Sequence, residues 1–363
     1  MKSNGARFSP TRLGLISAGI GAAVIGRRIW RNQRRLIDFA NRVVVITGGS
    51  RGLGFALAQE FASRGAAIVI CGRDQSVLQE AERKLSATGA EVMAVHCDIS
   101  LRADAEALIR RATERFGRVD VLVNNAGEIS VGPLETQTIE DFEQALATMF
   151  WGMVYTCMAV LPQMKRRRDG RIVNITSIGG KVPVPHLLPY ACAKFAAVGF
   201  SEGMHAELAK DQVWVTTVVP GLMRTGSHSN AIFKGDHRKE YSWFSLAATL
   251  HVVSMDARRA ARRIADAAAK GATGIILTPQ ARLLALAHGV APGLVSDLMG
   301  IANRTLPGTG SCTQQAFTGK ESETALSRSF LTALGRSAGR ELNQHPEQGP
   351  TGRNVNIRSM PHR

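Results

Sequence analysis

Between residues 42 and 279, short runs of β-branched and aliphatic residues alternate with longer stretches of helical periodicity. The apolar runs have few polar interruptions, which is typical of parallel strands that are buried on both faces. The alternation predicts a doubly wound α/β fold, with a seven-stranded parallel sheet and helices on both of its faces. The predicted strands are 43–47, 67–71, 92–96, 119–123, 171–175, 213–219 and 274–278, and the predicted helices are 53–64, 75–87, 102–116, 139–165, 191–210 and 257–270.

The N-terminal segment, residues 1–40, lies outside this alternation. Its apolar run at 13–26 is flanked by arginines, and Trp30 follows it. A run of this length is shorter than the roughly 20 residues of a spanning helix. Three interpretations stay open: an anchor for membrane association through residues 13–30, a signal peptide, and a mobile basic tail. The anchor is favoured, because arginine and tryptophan side chains suit lipid headgroups.

Two further segments follow the alternating region. Residues 280–307 are rich in Leu, Ala and Val and are interrupted at Pro292-Gly293. This pattern favours an apolar helical extension packed on the domain over a membrane-facing or acyl-binding surface. Residues 308–363 have no sustained apolar period and are rich in Gly, Ser, Thr, Arg and Gln, so we predict a disordered tail there.

Composition limits the classes of partner. The 363 residues carry a net charge of +16, much of it toward the two ends, but only 6% of them are aromatic, which argues against a nucleic-acid surface. The five cysteines are odd in number and show no CxxC spacing. They are typical of free thiols in a reducing compartment, so we expect the cytoplasm or the cytoplasmic face of a membrane. No cluster of residues has metal-ligand spacing, and no metal is predicted.

A glycine-rich segment, TGGSRGLG at 47–54, follows the first predicted strand and opens a helix. This placement predicts a dinucleotide site, because glycines let the backbone approach a pyrophosphate at the helix N-terminus. Arg73 ends the second strand, at the position where an acidic residue would bind the ribose of NAD. Together with Arg51 it favours the 2′-phosphate of NADP(H). Asp74 is expected to point away or to begin the next helix.

Later strands are followed by further candidate positions. Asp98 and Ile99 fall where an adenine edge could bind, although Asp98 could equally be a helix cap. Residues 124–127 (NNAG) read as a turn that ends the fourth strand. Ser177 follows the fifth strand, and Tyr190 and Lys194 lie one helical turn apart on the same helix face.

In this order and spacing, the motifs resemble the short-chain dehydrogenase/reductase family, in its single-domain branch. The resemblance covers TGGSRGLG (47–54), NNAG (124–127), Ser177, Tyr190-Ala-Cys-Ala-Lys194, and Pro220-Gly221 with Thr225. It implies one Rossmann domain over 41–279, with a substrate lid at 225–256. It also implies that the protein is a dehydrogenase or reductase acting on alcohol or carbonyl groups.

The resemblance implies a role for each residue that matches a family motif. Tyr190 would be the general acid/base, Lys194 would favour its phenolate and hold the nicotinamide ribose, and Ser177 would hydrogen-bond the substrate oxygen. With the arginines above, the implied cofactor-binding residues are Gly48, Ser50, Arg51, Gly52, Leu53, Gly54, Arg73, Asp98, Ile99, Asn125, Ala126, Gly127, Tyr190, Lys194, Pro220, Gly221, Met223 and Thr225.

One position departs from the family pattern. The family usually has an asparagine in the long helix before Ser177, which helps to hold a water behind the lysine. Met149 stands at this position, and its thioether is only a weak acceptor. We therefore expect a working but slower enzyme.

The substrate class is indicated by the lid, which contains Phe233, Tyr241, Trp243 and Phe244. These aromatics favour an apolar substrate, although they are also compatible with ordinary packing. The leading hypothesis is an NADP(H)-dependent oxidoreductase that reduces a lipophilic ketone or aldehyde, or oxidises the matching alcohol. The alternative is a non-catalytic NADP(H)-binding sensor or scaffold associated with a membrane, which Met149 supports. Helices 139–165 and 191–210 resemble those that the family uses for subunit contacts, so a homo-oligomer is expected.

Overall fold

The computed structural model describes residues 36–249, 254–310, 314–324 and 333–344. In chain order, the strands are β1 Val43–Thr47, β2 Ala67–Gly72, β3 Val92–His96, β4 Val121–Asn124, β5 Ser130–Val131, β6 Gly170–Ile175, β7 Val213–Val219, β8 Met223–Arg224, β9 Ile232–Phe233, β10 Met255–Asp256, β11 Gly274–Ile276 and β12 Phe317–Thr318. The α-helices are α1 Gly52–Ser63, α2 Gln75–Ser86, α3 Arg102–Phe116, α4 Ile139–Leu146, α5 Gly152–Arg167, α6 Leu188–Leu208, α7 His237–Thr249, α8 Ala257–Ala269, α9 Pro279–Val290, α10 Pro292–Asn303 and α11 Ala333–Glu341.

Seven of these strands form one parallel sheet in the order β11-β7-β6-β4-β1-β2-β3. This confirms the doubly wound Rossmann architecture predicted from the apolar pattern. The chain reverses its winding direction between β1 and β4, which are neighbours in the sheet. A crevice opens at such a switch point beyond the carboxyl ends of the strands, and this is where ligands bind in the fold.

Both faces of the sheet are covered by helices. Alternate residues of β1 point to opposite sides: Val44 and Ile46 pack with α1, α2 and α8, whereas Val43 and Val45 pack with α3, α5 and α6. All four of these side chains are buried. Burial on both sides explains why the strands read as continuous apolar runs rather than as an alternating pattern.

The long predicted helix at 139–165 is interrupted in the structure. A π-helical turn over Ala147–Trp151 separates α4 from α5. This helical stretch, Ile139–Arg167, is the one found among the described residues to be long and apolar enough to cross a membrane. Its buried residues Met153, Cys157 and Val160 pack in the core on one face of the sheet, as expected of a core helix.

The apolar extension forms two helices that meet at Pro292, close to the predicted break. Ala281 of α9 and Val295 of α10 are buried. The expected packing on the domain is therefore found for only a small part of the surface of these two helices. Six large apolar side chains of this helical pair are exposed, and these are Leu283, Leu286, Val290, Leu294, Leu298 and Ile301.

The expected disorder of the C-terminal tail is wrong for two described segments. β12 pairs with β9, at residues Phe317 and Phe233, and α11 packs near α7 and β8. Backbone pairing and the burial of Leu342 give these short segments the tertiary contacts that their polar composition does not reveal. Tail residues 311–313, 325–332 and 345–363, and the proposed anchor at 13–30, lie outside the described residues.

Candidate active site

A cavity of about 570 Å³ opens at the carboxyl ends of the central strands. It is lined by the segments that follow β1, β2, β3, β4, β6 and β7, where the fold places a ligand crevice. Of the catalytic and cofactor-binding residues predicted from the sequence, Gly54 is the one that does not line it. The others are Gly48, Ser50, Arg51, Gly52, Leu53, Arg73, Asp98, Ile99, Asn125, Ala126, Gly127, Ser177, Tyr190, Lys194, Pro220, Gly221, Met223 and Thr225.

Gly54 instead serves the packing of the glycine-rich turn. A Cβ on this residue would lie 2.1 Å from the carbonyl oxygen of Gly48, so a side chain there would force the turn apart. Gly48 itself has a φ of +62°, a region that residues with side chains rarely adopt. The side chain of Asn125 supports the same turn by donating from Nδ2 to the carbonyls of Thr47 and Gly48, each at 3.1 Å.

Two arginines lie at one end of the cavity. Arg51 is largely buried, and burial lowers the pKa of its guanidinium, while the charge of Asp74 acts in the opposite direction. Arg73 is about half exposed and forms an ion pair with Glu128, at 3.2 Å between Nη2 and Oε2. Asp74 caps α2 by accepting from the amides of Ser76 and Val77, which confirms that it begins this helix. The carboxylate of Asp74 is therefore engaged at the start of α2, and the side chain that borders the cavity after β2 is that of Arg73.

Asp98 follows β3 and borders the same cavity. Its Oδ1 accepts hydrogen bonds from the backbone N–H and the hydroxyl of Ser100, at 3.0 and 2.7 Å. The carboxylate thus stabilises the turn that leads into α3, while the neighbouring Ile99 presents an apolar side chain to the cavity wall.

The three candidate catalytic residues meet in the middle of the cavity. Burial raises the pKa of the Tyr190 phenol, and its hydrogen bond with Ser177 lowers it. Burial lowers the pKa of Lys194 to about 8. Lys194 Nζ donates to the carbonyl oxygen of Ile175 at 3.0 Å and lies 5.7 Å from the centre of the Tyr190 ring. The arrangement gives one acid/base, one hydroxyl donor beside it and one buried cation.

Met149 lies behind this group, within the π-helical turn. Its side chain is 2% exposed. A Cβ on Gly127 would lie 3.5 Å from its sulfur and 3.7 Å from Lys194 Nζ, so the thioether and the ammonium group face the same short backbone segment. Met149, which stands where the family usually has an asparagine, therefore lies close to Lys194 and has an apolar side chain.

The lid places two of its four aromatics on the cavity. Trp243 and Phe244 line it. Phe233 and Tyr241 do not line it and are buried in a small apolar cluster. Trp243 is held in place because its Nε1 donates to Glu240 Oε2 at 2.7 Å. Glu240 also pairs with His186 Nδ1, again at 2.7 Å. The apolar wall past Tyr190 is completed by Val184, Leu187, Leu222, Ala247 and Ala248.

Glu128 and Gln344 are among the cavity residues that the sequence did not predict. Glu128 directly follows the NNAG segment, and Gln344 comes from the C-terminal tail. Glu128 was within reach of a sequence argument, because its neighbours in the chain were already assigned to the site. Gln344 gave no signal, since it is separated from the nearest motif by more than a hundred residues and stands in a polar stretch.

Comparison with known proteins identifies the family. The family model described as short chain dehydrogenase matches residues 42–233, which is more than half of the chain. The chain therefore belongs to the short-chain dehydrogenase/reductase family, a family of oxidoreductases that use a nicotinamide dinucleotide.

Individual relatives agree with this assignment. The chain is 36% identical over 209 residues to dehydrogenase/reductase SDR family member 7B of Bos taurus, covering 56% of this chain and 64% of that protein. It is 38% identical to 11-beta-hydroxysteroid dehydrogenase A of Sesamum indicum, covering 52% and 54%. The match thus spans less than two thirds of these two relatives. A putative oxidoreductase, SadH of Mycobacterium tuberculosis, is 32% identical, covering 75% of this chain and 96% of that protein.

Solved structures share the fold. A short-chain dehydrogenase/reductase from Burkholderia phymatum in complex with NAD aligns with a TM-score of 0.66 and 25% identity, over 71% of this chain and 96% of that one. A short-chain dehydrogenase from Streptomyces avermitilis aligns with a TM-score of 0.63 and 26% identity, over 74% of this chain and all of that one.

Proposed function

We propose that the protein is an NADP(H)-dependent oxidoreductase that reduces a lipophilic ketone or aldehyde, or oxidises the matching alcohol. The observation that carries the proposal is the order of groups along a single cavity. Arg51 and Arg73 follow β1 and β2 on one side of the switch point in the sheet, whereas Ser177 follows β6 on the other side, with Tyr190 and Lys194 of α6 and the lid residue Trp243 lining the same cavity. This order matches a 2′-phosphate, a reacting carbonyl and an apolar substrate body.

The proposed chemistry follows from the groups in the middle of the cavity. The bound dinucleotide supplies the hydride. Ser177 donates a hydrogen bond to the carbonyl oxygen of the substrate, where negative charge develops. Tyr190 gives its phenolic proton to the same oxygen, which yields the alcohol. The ammonium group of Lys194 stabilises the phenolate that remains, because an opposite charge nearby favours the ionised form.

The preference for NADP(H) rests on the two guanidinium groups. A phosphate monoester accepts several charge-assisted hydrogen bonds from arginine, and the position that an NAD-binding carboxylate would occupy holds Arg73. We expect Arg51→Ala and Arg73→Ala each to weaken NADPH binding by about tenfold or more, as charge-assisted hydrogen bonds are lost. NADH binding should change by much less. Equal losses for both cofactors would contradict the preference.

The proposed substrate class rests on the apolar wall. With Val184, Leu187, Trp243 and Phe244 around the space beyond Tyr190, a fatty, steroid-like or isoprenoid compound would bury most of its surface there. The relative named as an 11-beta-hydroxysteroid dehydrogenase supports such an apolar substrate. Since NADPH is a reductant, carbonyl reduction is the proposed working direction.

We further propose that residues 13–30 attach the protein to the cytoplasmic face of a membrane. The alternative location is the cytoplasm. The exposed apolar side chains of α9 and α10 offer a second surface that would favour the same association. A homo-oligomer is proposed through α5, α6 and the π-helical turn before α5, where Met158, Phe195 and Trp151 are exposed. Flotation with liposomes tests the first proposal, and sedimentation in detergent tests the second.

The central experiment follows NADPH oxidation by its absorbance in mild detergent, with a panel of lipophilic ketones and aldehydes. Turnover by the wild type, together with its loss in Tyr190→Phe, would support the proposal. NADPH binding without turnover of any panel member, unchanged by Tyr190→Phe, would favour the non-catalytic sensor or scaffold.

A further inference from the structure

Residues 342–344, the last that the structure describes, lie beside the glycine-rich turn. α11 stops in a left-handed cap: Asn343 has a φ of +59°, and the amide of Gln344 donates to the carbonyl of Gly339 at 2.9 Å. This is the hydrogen bond of a Schellman motif, in which asparagine is accepted at the left-handed position. The cap turns the chain sharply, so that Leu342, Asn343 and Gln344 face the domain.

These three residues are fixed to the dinucleotide-binding turn. The carbonyl of Leu342 accepts from the amide of Gly52, at 2.8 Å. The side chain of Asn343 is fully buried, donates to the carbonyls of Ser50 and Val77, at 2.9 and 3.1 Å, and accepts from Lys84. These contacts connect the segment to the glycine-rich turn and to α2.

Gln344 then points its amide at the start of α1. The side chain is 3% exposed, and its Oε1 accepts from Asn230 Nδ2 of the lid at 2.6 Å. Its Nε2 lies 2.7 Å from the place that a Cβ on Gly52 would take, and Gly52 is the first residue of α1. Among the described residues, Nε2 has no hydrogen-bond acceptor, although it borders the cavity.

The position of this donor defines a ligand chemistry. The N-terminus of a helix after a glycine-rich turn attracts phosphate, because its first amides have no partner within the helix and carry partial positive charge. In α1 the amide of Gly52 already donates to Leu342, so this attraction comes from the amides that follow it. The Nε2 group of Gln344 carries two donor hydrogens beside the first residue of this helix, and such a donor suits a phosphate oxygen. We propose that Gln344 is a cofactor-binding residue that donates to the dinucleotide pyrophosphate. This inference rests on the proposed function, since it requires that a dinucleotide binds.

The proposal also gives the C-terminal segment a role in closing the site. The side chain of Gln344 contacts the lid through its hydrogen bond with Asn230, and it also lies beside Gly52 of the glycine-rich turn. A dinucleotide that binds under Gln344 would therefore contact the lid and the turn at the same time.

The test compares Gln344→Met and Gln344→Glu with the wild type in the full chain. Methionine keeps the approximate volume but removes the donor, so NADPH affinity should fall by about fivefold to tenfold. Glutamate also places a negative charge beside the pyrophosphate, and the loss should exceed tenfold. Adenosine 2′-monophosphate, which has no pyrophosphate, should bind all three proteins within about twofold of each other.

Each outcome decides the matter. If both variants bind NADPH as the wild type does, or if adenosine 2′-monophosphate is weakened to the same extent as NADPH, Gln344 does not contact the pyrophosphate. A wild type that prefers NADH would contradict only the proposed binding of a 2′-phosphate. The wild type and the two Gln344 variants are then compared with NADH in place of NADPH and adenosine in place of adenosine 2′-monophosphate. A wild type that binds neither dinucleotide would overturn the proposed function and this inference together. Unchanged thermal unfolding of the methionine variant excludes a general loss of structure.

Discussion

Arg73 and Glu128 form an ion pair at the edge of the cofactor cavity, with 3.2 Å between the guanidinium and the carboxylate. Both side chains are partly exposed, and pairs of this kind contribute little to stability. In the proposed complex with NADP(H), the carboxylate would occupy one of the hydrogen-bonding edges that Arg73 could offer to a 2′-phosphate. Its negative charge would also repel that phosphate.

We therefore predict that Glu128→Gln raises the affinity for NADPH by about threefold to tenfold, as one like charge is removed near the phosphate. The affinity for NADH should stay nearly constant. Dissociation constants for both cofactors check this, with Glu135→Gln as the matched control, since Glu135 is exposed and does not line the cavity. An equal gain for NADPH in the control variant would show a general effect of net charge.

Tyr190→Phe should abolish turnover while sparing the cofactor. The phenol is the one group beside Ser177 that can transfer a proton to the substrate oxygen in the proposed mechanism, and general acid catalysis contributes about 100-fold to 10,000-fold. The expected loss in kcat is of this order, with an NADPH dissociation constant within about twofold of the wild type. Retained turnover in the phenylalanine variant would remove Tyr190 from the mechanism.

Met149→Asn should increase kcat. The methionine fills the space beside Gly127 and Lys194 Nζ with apolar atoms, whereas an amide there could hold a water that passes protons to the lysine. We expect a gain of up to about tenfold, less than the roughly 100-fold or more of direct general acid catalysis, because the water would act only through the lysine. Met149→Leu keeps the site apolar and should leave kcat unchanged, so a gain in both variants would point to altered packing.

The sheet and most of the cavity were predictable from the sequence. The reason is physical: strands buried on both faces must be apolar throughout, and ligand-binding residues must follow them directly. This is why Arg73 and Ser177 could be assigned to strand ends before the structure was known. Asp74 could be placed at the helix start because a carboxylate is a good acceptor for the first free amides.

Other features depend on contacts that no local pattern encodes. Gln344 reaches the cavity because a Schellman cap at Asn343 turns it toward Gly52. These contacts join parts of the chain that lie far apart in the sequence. The exposed leucines of α9 and α10 have the same periodicity as a packed face, so the pattern could not decide what covers them. Gly54 belongs to the motif but acts through packing, which the motif alone does not distinguish from ligand contact.

Burial of Lys194 gives a stability that depends on pH in a defined direction. Burial lowers its pKa from 10.5 to about 8. Below pH 8 the lysine is charged in both states, and the folded state bears the cost of burying the charge. Between about pH 8 and 10.5 the folded state releases the proton first, so the unfolded state binds more protons and the free energy of unfolding rises with pH.

Lys194→Met should remove this dependence. At pH 7 the variant without cofactor should be more stable than the wild type by up to about 3 kcal/mol, and the difference should shrink as the pH rises past 8. Above pH 10 the raised pKa of the Tyr190 phenol acts in the opposite direction, because the folded state then keeps a proton that the unfolded state loses. Urea unfolding across this range gives the measurement, with the exposed Lys210→Met as control. A difference that stays constant with pH would mean that Lys194 is not buried as a cation.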